Sequence, residues 1–124
     1  MSVPHTIVWF EIPVKDFSRA QKFYAKILNG EVVEVQMGNE RMGFLPRGEN
    51  GVSGAIIETE GLQPGKDGTL IYLNGGDDLQ NVLDRVEAAG GTILRPKAPV
   101  SPDHGFSALI EDTEENVIGL HSMQ

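Results

Sequence analysis

The sequence predicts an α+β fold in which two βαβββ modules form a cupped, barrel-like mixed sheet. Two segments of helical periodicity, opening at Asp16 and Asp78, lie half the length of the 124-residue chain apart. Each follows an apolar run and precedes short apolar runs separated by glycine, proline and asparagine, a pattern typical of strands joined by turns. Because a helix covers one sheet face in each module, the opposite faces should form the cup.

The first module is predicted over residues 5–58 and opens with a strand at residues 7–14. Alternation along this strand gives one uniformly apolar face and places Trp9 and Glu11 on the other. An acid and the only tryptophan of the chain are unusual in a second core layer. We therefore expect both side chains to face the cup.

The first helix is predicted to begin with a capping box formed by Ser18 and Gln21 and to end at Asn29-Gly30. Its apolar residues recur at helical spacing, which predicts one buried face. Turn-forming residues divide the rest of the module into strands near residues 32–37, 41–46 and 53–58.

The second module is predicted over residues 69–122, and a linker at residues 59–68 joins it to the first module within a single domain, 1–124. Its helix, at residues 78–89, has a possible capping box at Asp77 and Gln80. Strands are predicted near residues 69–74, 92–95, 106–111 and 117–121. The loop at residues 96–105 contains three prolines and His104, and it should border the site.

Alternation also assigns residues of the second module to the cup. In the last strand the apolar pair fits beneath the helix, so Gly119 and His121 face the cup by elimination. In the strand at residues 69–74, Tyr72 and Asn74 share one face with Leu70, and both face the cup if Leu70 does.

Composition excludes several classes of partner. A net charge of −8, from 18 acidic and 10 basic residues, argues against binding to nucleic acid or to anionic membranes. No apolar stretch approaches the roughly 20 residues of a membrane span. The chain has no cysteine, so disulfides, thiolate nucleophiles and cysteine-bound zinc are excluded. The N-terminal residues do not resemble a signal peptide, and we expect a cytoplasmic protein.

Three segments together resemble the vicinal oxygen chelate superfamily, which includes glyoxalase I, bleomycin-resistance proteins and extradiol dioxygenases. They are residues 14–24, residues 77–91 and residues 111–121. The Trp-Phe-Glu-Ile-Pro strand and the Ile-Gly-Leu-His ending are most similar to the lactoylglutathione-lyase-like group. The resemblance implies paired βαβββ modules, neighbouring first and last strands, and a homodimer, side by side or with exchanged modules. The family usually has glycine at position 115, so Glu115 predicts an altered turn.

The metal ligands of the glyoxalases do not transfer to this chain. The resemblance places the first histidine ligand at Trp9, the second at Leu70 or Thr69, and the terminal glutamate at Gly119. None of these side chains holds a divalent metal in the usual way. Glu58 is the candidate for the remaining ligand. We therefore predict no cofactor, with a relocated divalent-metal site formed by Glu11, Glu58 and His121 as a minority alternative.

The sequence leaves three functions open. The first is binding of a small molecule, aromatic or carbonyl-bearing, by Trp9, Glu11, Tyr72, Asn74 and His121, without the usual metal. The second is a lyase or isomerase in which His121 is the base and Glu11 orients it, or in which both belong to the relocated metal site. The third is a structural or partner-binding module whose cup Trp9 closes. Whether the protein is an enzyme stays open.

A small basic cluster is a further candidate. Arg95 and Lys97 flank Pro96 in the proline-containing loop. The pair could hold an anionic ligand at the mouth of the cup or form ordinary solvated surface.

Overall fold

The first module follows the predicted order of one strand, one helix and three strands. The computed structural model describes residues 5–124. The elements of the first module are β1 (Phe10–Pro13), α1 (Phe17–Ile27), β2 (Val33–Met37), β3 (Glu40–Phe44) and β4 (Gly54–Glu58).

The second module repeats that order. Its elements are β5 (Tyr72–Asn74), α2 (Gln80–Val86), β6 (Thr92–Ser101), β7 (Gly105–Glu111) and β8 (Val117–Ser122). No helix in the described part of the chain is long and apolar enough to cross a membrane.

The two sheets share one topology. Their strand orders are β1-β4-β3-β2 and β5-β8-β7-β6. In each sheet the first strand pairs in parallel with the last strand of its module, and the other pairs are antiparallel. The α+β fold of two βαβββ modules is therefore confirmed, with the sheets cupped rather than closed into a barrel.

The larger of two apolar clusters in residues 5–124 lies between the helices and both sheets. The predicted buried face of α1 is confirmed, since Phe17, Ala20, Phe23, Tyr24 and Ile27 are all buried. These residues belong to the same apolar cluster as residues from α2, β5, β7 and β8. Because the helices occupy this side of both sheets, we use "cup face" for the face of each sheet opposite its helix.

The turn between β7 and β8 holds the start of α1. The Glu114 carboxylate accepts hydrogen bonds from the backbone N–H groups of Lys15 and Asp16, at 2.9 and 2.7 Å. Its second oxygen accepts from Arg19 Nε at 2.7 Å. A carboxylate at a helix N-terminus satisfies N–H groups that lack a partner within the helix and complements the helix dipole. The second module therefore caps the helix of the first.

Both predicted capping boxes are wrong. The N-cap of α1 is Asp16, whose side chain accepts from Arg19 N at 3.1 Å, and Ser18 lies inside the helix. The amide of Gln21 instead donates to the Val32 carbonyl. Helix α2 is shorter than predicted, and its N-cap, Leu79, provides no side-chain hydrogen bond.

The predicted loop at residues 96–105 is mostly strand. Strand β6 continues to Ser101, and the connection to β7 is only residues 102–104. The prolines do not interrupt it because β6 is an edge strand, where a missing N–H is tolerated, and because its pairing has three register shifts. Strands β1 and β5, in contrast, are shorter than predicted.

The turn at Glu115 keeps the backbone conformation that glycine favours. Glu115 has a φ of 69°, in the left-handed region. The Asp112 carboxylate accepts from the backbone N–H groups of Glu114 and Asn116, at 2.7 and 2.9 Å, and fixes the turn around it. The expected change of turn geometry is therefore not seen. Glu115 instead adopts a left-handed backbone conformation, which is uncommon for a residue other than glycine.

Candidate functional site

Three polar side chains lie in one row across the cup face of the second sheet. Asn74 of β5 is paired with His121 of β8, and His121 is paired with Ser107 of β7. Residues directly opposite each other on paired strands project from the same face. The intervening Leu73 is buried in the core on the other face. The strand pairing therefore brings Asn74, His121 and Ser107 together.

The orientation of His121 follows from one hydrogen bond. Its Nε2 lies 2.7 Å from the carbonyl oxygen of His104, in the connection between β6 and β7. A carbonyl oxygen only accepts, so Nε2 must carry the proton. In the neutral imidazole, Nδ1 then has the free lone pair and acts as an acceptor. His104 thus positions His121 through its backbone, while its own ring contacts the Ser101 hydroxyl.

The ring of Tyr72 covers the backbone of Gly119. The two residues are directly paired on β5 and β8, and a Cβ atom built on Gly119 would overlap the ring. Half of the Tyr72 surface remains exposed. The absence of a side chain at Gly119 therefore lets an accessible aromatic ring lie flat on the sheet.

A cavity of about 580 Å³ brings Tyr72, Asn74 and His121 together. It is also lined by Gly76 and Asp77 in the connection between β5 and α2, and by the C-terminal residues Met123 and Gln124. Three of the five predicted ligand contacts thus line one cavity. An aromatic ring, an amide and an imidazole acceptor are a suitable combination for a small organic molecule.

The remaining two predicted contacts lie on the first sheet. Trp9 packs against the cluster of Met42, Ala55 and Ile57. Its ring also contacts the Phe44 ring edge to face, with the ring centroids 5.3 Å apart. Glu11 is exposed and lines a different cavity of about 570 Å³, between β1 and residues 63–69. Within one chain, the structure therefore does not place Trp9 or Glu11 in the cavity of His121.

The expected pairing of Glu11 with His121 is absent. Strand β1 belongs to the first sheet and β8 to the second, and they are not paired. The imidazole is oriented by the carbonyl of His104 instead of by a carboxylate. Strands β1 and β8 are not hydrogen-bonded neighbours, because β1 pairs with β4 and β8 lies between β5 and β7. Residues of both strands nevertheless line the cavity that contains Glu11.

Glu58 also lies away from the proposed relocated metal site. Its carboxylate accepts from the backbone N–H of Phe17 at 3.1 Å, so it contacts the start of α1 on the helix side of the sheet. Among residues 5–124, no group of three or more histidine, aspartate or glutamate side chains is arranged to hold a metal ion. Glu11, Glu58 and His121 are therefore not assembled in this chain.

The positions that correspond to glyoxalase ligands do not fit a divalent metal. The indole of Trp9 offers only an N–H donor, Leu70 is apolar, and Gly119 has no side chain and lies beneath Tyr72. Divalent metals in such sites require imidazole, carboxylate or thiolate ligands.

The predicted basic cluster is divided between the two faces of β6. Arg95 turns to the cup face, where Nη2 donates to the Ser107 hydroxyl at 2.9 Å and Nη1 to its carbonyl at 3.5 Å. Lys97 turns to the helix side, where it donates to Asp78 at 2.8 Å and lies over the Phe106 ring. A register shift between Arg95 and Ala98 breaks the alternation that would place both on one face.

Sequence reasoning did not identify Ser107 as part of the site. Alternation along the predicted strand at residues 106–111 could have placed it on the cup face, since it shares that face with Leu109. Its partner Arg95 reaches it only because of the bulge in β6. No local sequence signal marks that bulge.

The sequence and the fold place the chain in a family. The chain belongs to the glyoxalase/bleomycin resistance protein/dioxygenase superfamily, whose sequence model matches residues 6–120. This agrees with the resemblance seen in the sequence. A search of functionally curated proteins found no significant match.

Solved structures share this fold at low sequence identity. A glyoxalase I mutant from Zea mays is 18% identical, with a TM-score of 0.74 over 97% of this chain and 47% of the maize chain. This chain thus spans about half the length of the maize protein. The trypanothione-dependent glyoxalase I of Leishmania major is 17% identical, with a TM-score of 0.71 and coverage of 96% and 87%. The fosfomycin resistance protein FosX of Listeria monocytogenes is 20% identical, with a TM-score of 0.67 and coverage of 97% and 94%.

Proposed function

We propose that this protein binds a small, aromatic or carbonyl-bearing molecule in its cup, without a divalent metal at the positions used by glyoxalases. The observation that carries the proposal is the convergence of Tyr72, Asn74 and His121 on one cavity of about 580 Å³. Members of the superfamily are often dimers and bind small molecules. Among the structural relatives are proteins named for trypanothione and for fosfomycin.

The three side chains offer complementary contacts. The exposed ring of Tyr72 provides a flat apolar surface for stacking. The side-chain oxygen of Asn74, Oδ1, already accepts a hydrogen bond from the backbone N–H of Gly76 at 2.8 Å. The side-chain NH₂ group of Asn74 is therefore left to donate to a ligand carbonyl. His121 Nδ1 accepts from a ligand hydroxyl or amine. This set favours a molecule that has a flat body and at least one polar group.

Trp9 and Glu11 are proposed as further contacts from the first sheet. Trp9 and Phe44 form an aromatic pair on its cup face, and Glu11 is an accessible carboxylate. Within one chain, neither Trp9 nor Glu11 lines the cavity that contains His121. The proposal therefore includes a homodimer in which the first sheet of one protomer faces the second sheet of its partner.

A second candidate function is proton transfer on a carbonyl-bearing substrate. It is favoured by the hydrogen bond of His121 Nε2 to the His104 carbonyl, which leaves Nδ1 as the ring nitrogen that can take up a proton from a substrate. Glu11 does not take part in the orientation of that ring in one chain. Deuterium incorporation next to the carbonyl of pyruvate, followed by proton NMR in D₂O, tests this candidate. Incorporation that is lost in His121→Ala would support it, and equal rates would contradict it.

A fragment screen by ligand-observed NMR tests the binding proposal. Fragments that bind the wild type are measured again with Tyr72→Ala, His121→Ala and the control Leu62→Ala, which removes an exposed side chain outside this cavity. We expect affinity to fall about fivefold in the first two variants, since stacking and hydrogen bonds of this kind each contribute about 1 kcal/mol. Binders that are unaffected by both substitutions, or the lack of any binder, would contradict the proposal.

Elemental analysis tests the metal-free part of the proposal. Untagged protein dialysed against zinc, nickel, manganese and iron(II) should retain less than about a tenth of an equivalent of each. Retention near one equivalent that is lost in His121→Ala would show a metal site involving that residue and favour an enzyme.

A further inference from the structure

We propose that Arg95 and Ser107 form a subsite that binds the carboxylate of the ligand. The inference deepens the proposed function and rests on it, because the subsite lies on the same cup face as the cavity of Tyr72, Asn74 and His121. It defines the ligand as an apolar or aromatic carboxylic acid.

The guanidinium of Arg95 is held in a fixed orientation. Ser107 is buried and accepts from both terminal nitrogens of Arg95, through its hydroxyl at 2.9 Å and its carbonyl at 3.5 Å. The remaining N–H groups of the fork have no protein acceptor among the hydrogen bonds of the described residues. The Ser107 hydroxyl accepts from Arg95, so its own hydrogen remains available as a donor. The pair thus presents several donors and no carboxylate.

The charge of Arg95 is not neutralised by a neighbouring acid. Four other cations in residues 5–124 form ion pairs with carboxylates: Arg19, Arg41, Lys66 and Lys97. Arg95 forms none there, as is also true of five further basic residues, although acidic residues outnumber basic ones in the chain by 18 to 10. The nearby acid of β7, Glu111, is paired with Lys66 at 3.5 Å. Arg95 is therefore free to bind an anion.

The subsite is one strand away from the cavity. Ser107 lies opposite His121 in the β7–β8 pairing, and such paired residues have Cα atoms about 5 Å apart. A carboxylate bound by Arg95 would thus be within a few bonds of a group that contacts His121 or Tyr72. One small molecule can therefore use both.

The chemistry favours a carboxylate over a phosphate. A planar carboxylate matches the fork of one guanidinium through two parallel hydrogen bonds. A single cation neutralises a monoanion, whereas a dianion would keep an excess charge on a protein whose net charge is already −8. Inorganic phosphate is therefore a suitable comparison probe.

Matched acids and amides test the subsite. The probes are phenylacetate, 3-phenylpropanoate and 4-phenylbutanoate, each compared with its primary amide and with inorganic phosphate. Binding is measured by ¹⁵N-resolved NMR titration of wild type, Arg95→Gln and Lys97→Gln. Lys97→Gln is the matched control because it removes the same charge from the same strand on the opposite face. The fold of each variant is checked from its amide spectrum, and Ser107→Ala serves as a second variant that retains the cation.

We expect wild type and Lys97→Gln to bind at least one acid about tenfold or more tightly than its amide, the preference that a charge-assisted hydrogen bond provides. Arg95→Gln should lose the preference and Ser107→Ala should reduce it. Equal affinity for acid and amide, with shifts at Tyr72 and His121, would overturn the subsite and leave the proposed cavity intact. If no probe changes the chemical shifts of Tyr72 or His121, the subsite is overturned. The fragment screen then decides separately whether the cavity binds a ligand. Preference for phosphate would also overturn the carboxylate assignment.

Discussion

The hydroxyl of Tyr24 on α1 donates a hydrogen bond of 2.6 Å to Asp112 in the turn between β7 and β8, with both side chains buried. The contact joins the helix of the first module to the second sheet inside the common core. Burial, together with the nearby Asp112 charge, raises the pKa of Tyr24 well above its usual value, so the phenol stays protonated and remains the donor.

Replacement of Tyr24 by phenylalanine is expected to destabilise the protein by about 1–3 kcal/mol, because the buried Asp112 carboxylate loses one of its donors. Urea unfolding measures the change. The control Tyr72→Phe removes the hydroxyl of a half-exposed tyrosine and should change stability by less than about 0.5 kcal/mol. Equal effects of the two substitutions would show that the buried hydrogen bond stabilises the protein no more than an exposed hydroxyl does.

Glu114 is expected to make stability depend on pH in the acid range. Burial alone would raise the pKa of its carboxyl, but hydrogen bonds from Arg19, Asp16, Thr113 and Lys15 outweigh this and lower it to about 2. A carboxyl with a lowered pKa in the folded state stabilises the protein above its unfolded value of 4.5. That contribution is lost progressively as the pH falls from 4.5 towards about 2.

The variant Glu114→Gln isolates this contribution. It should be less stable than wild type by about 1–3 kcal/mol at pH 7, because a charged acceptor of several hydrogen bonds becomes neutral. The difference should shrink below pH 4.5, as the wild-type carboxyl begins to bind its proton. Urea unfolding between pH 2.5 and 7 measures both curves, and a difference that is constant with pH would contradict the assignment.

The contact between Gly91 and Phe23 is expected to make Gly91→Ala destabilising. A Cβ atom at position 91 would lie 2.6 Å from the ring of Phe23 on α1 and 2.8 Å from the Glu111 carbonyl. The buried ring cannot move away freely, so a cost of about 1–3 kcal/mol is expected. Thermal unfolding compares this variant with Gly68→Ala, where a Cβ meets no atom within 4 Å. Similar melting temperatures for the two variants would contradict the prediction.

Glu115 is expected to store backbone strain that glycine would relieve. Its φ of 69° is unfavourable for a residue with a Cβ atom by about 1 kcal/mol or more. Glu115→Gly should therefore stabilise the protein by up to about 1 kcal/mol, even though glycine gains entropy in the unfolded state. Glu115→Ala, which removes the side chain but keeps the Cβ atom, should show no such gain in chemical denaturation.

The fold was predictable because its signals are local and occur twice. Alternation in the strands, the buried face of α1 and the turn residues each depend on a few neighbouring positions. The start of α1 at Asp16 was predicted, but its capping was not, because Glu114 and Glu58 act as capping groups from 98 and 41 residues away along the chain. Capping by distant residues leaves no local pattern.

The site was predictable in part for the same reason. Tyr72, Asn74 and His121 share a cavity because alternation fixes their face once the strands form. The supposed pairing of Glu11 with His121 required the order of strands across both sheets, which alternation does not determine. Arg95 and Lys97 were assigned to one surface because the register shift that separates them depends on pairing with β7.

The prolines of β6 also make this sheet edge a poor template for an added strand. A proline has no N–H to offer to an added strand, and the register shifts further break the regular row of donors and acceptors. Strand β2, at an edge of the other sheet, has no proline and exposes Val33 and Met37. Strand addition is therefore disfavoured along β6, whereas the edge of β2 offers an uninterrupted row of backbone donors and acceptors beside exposed apolar side chains.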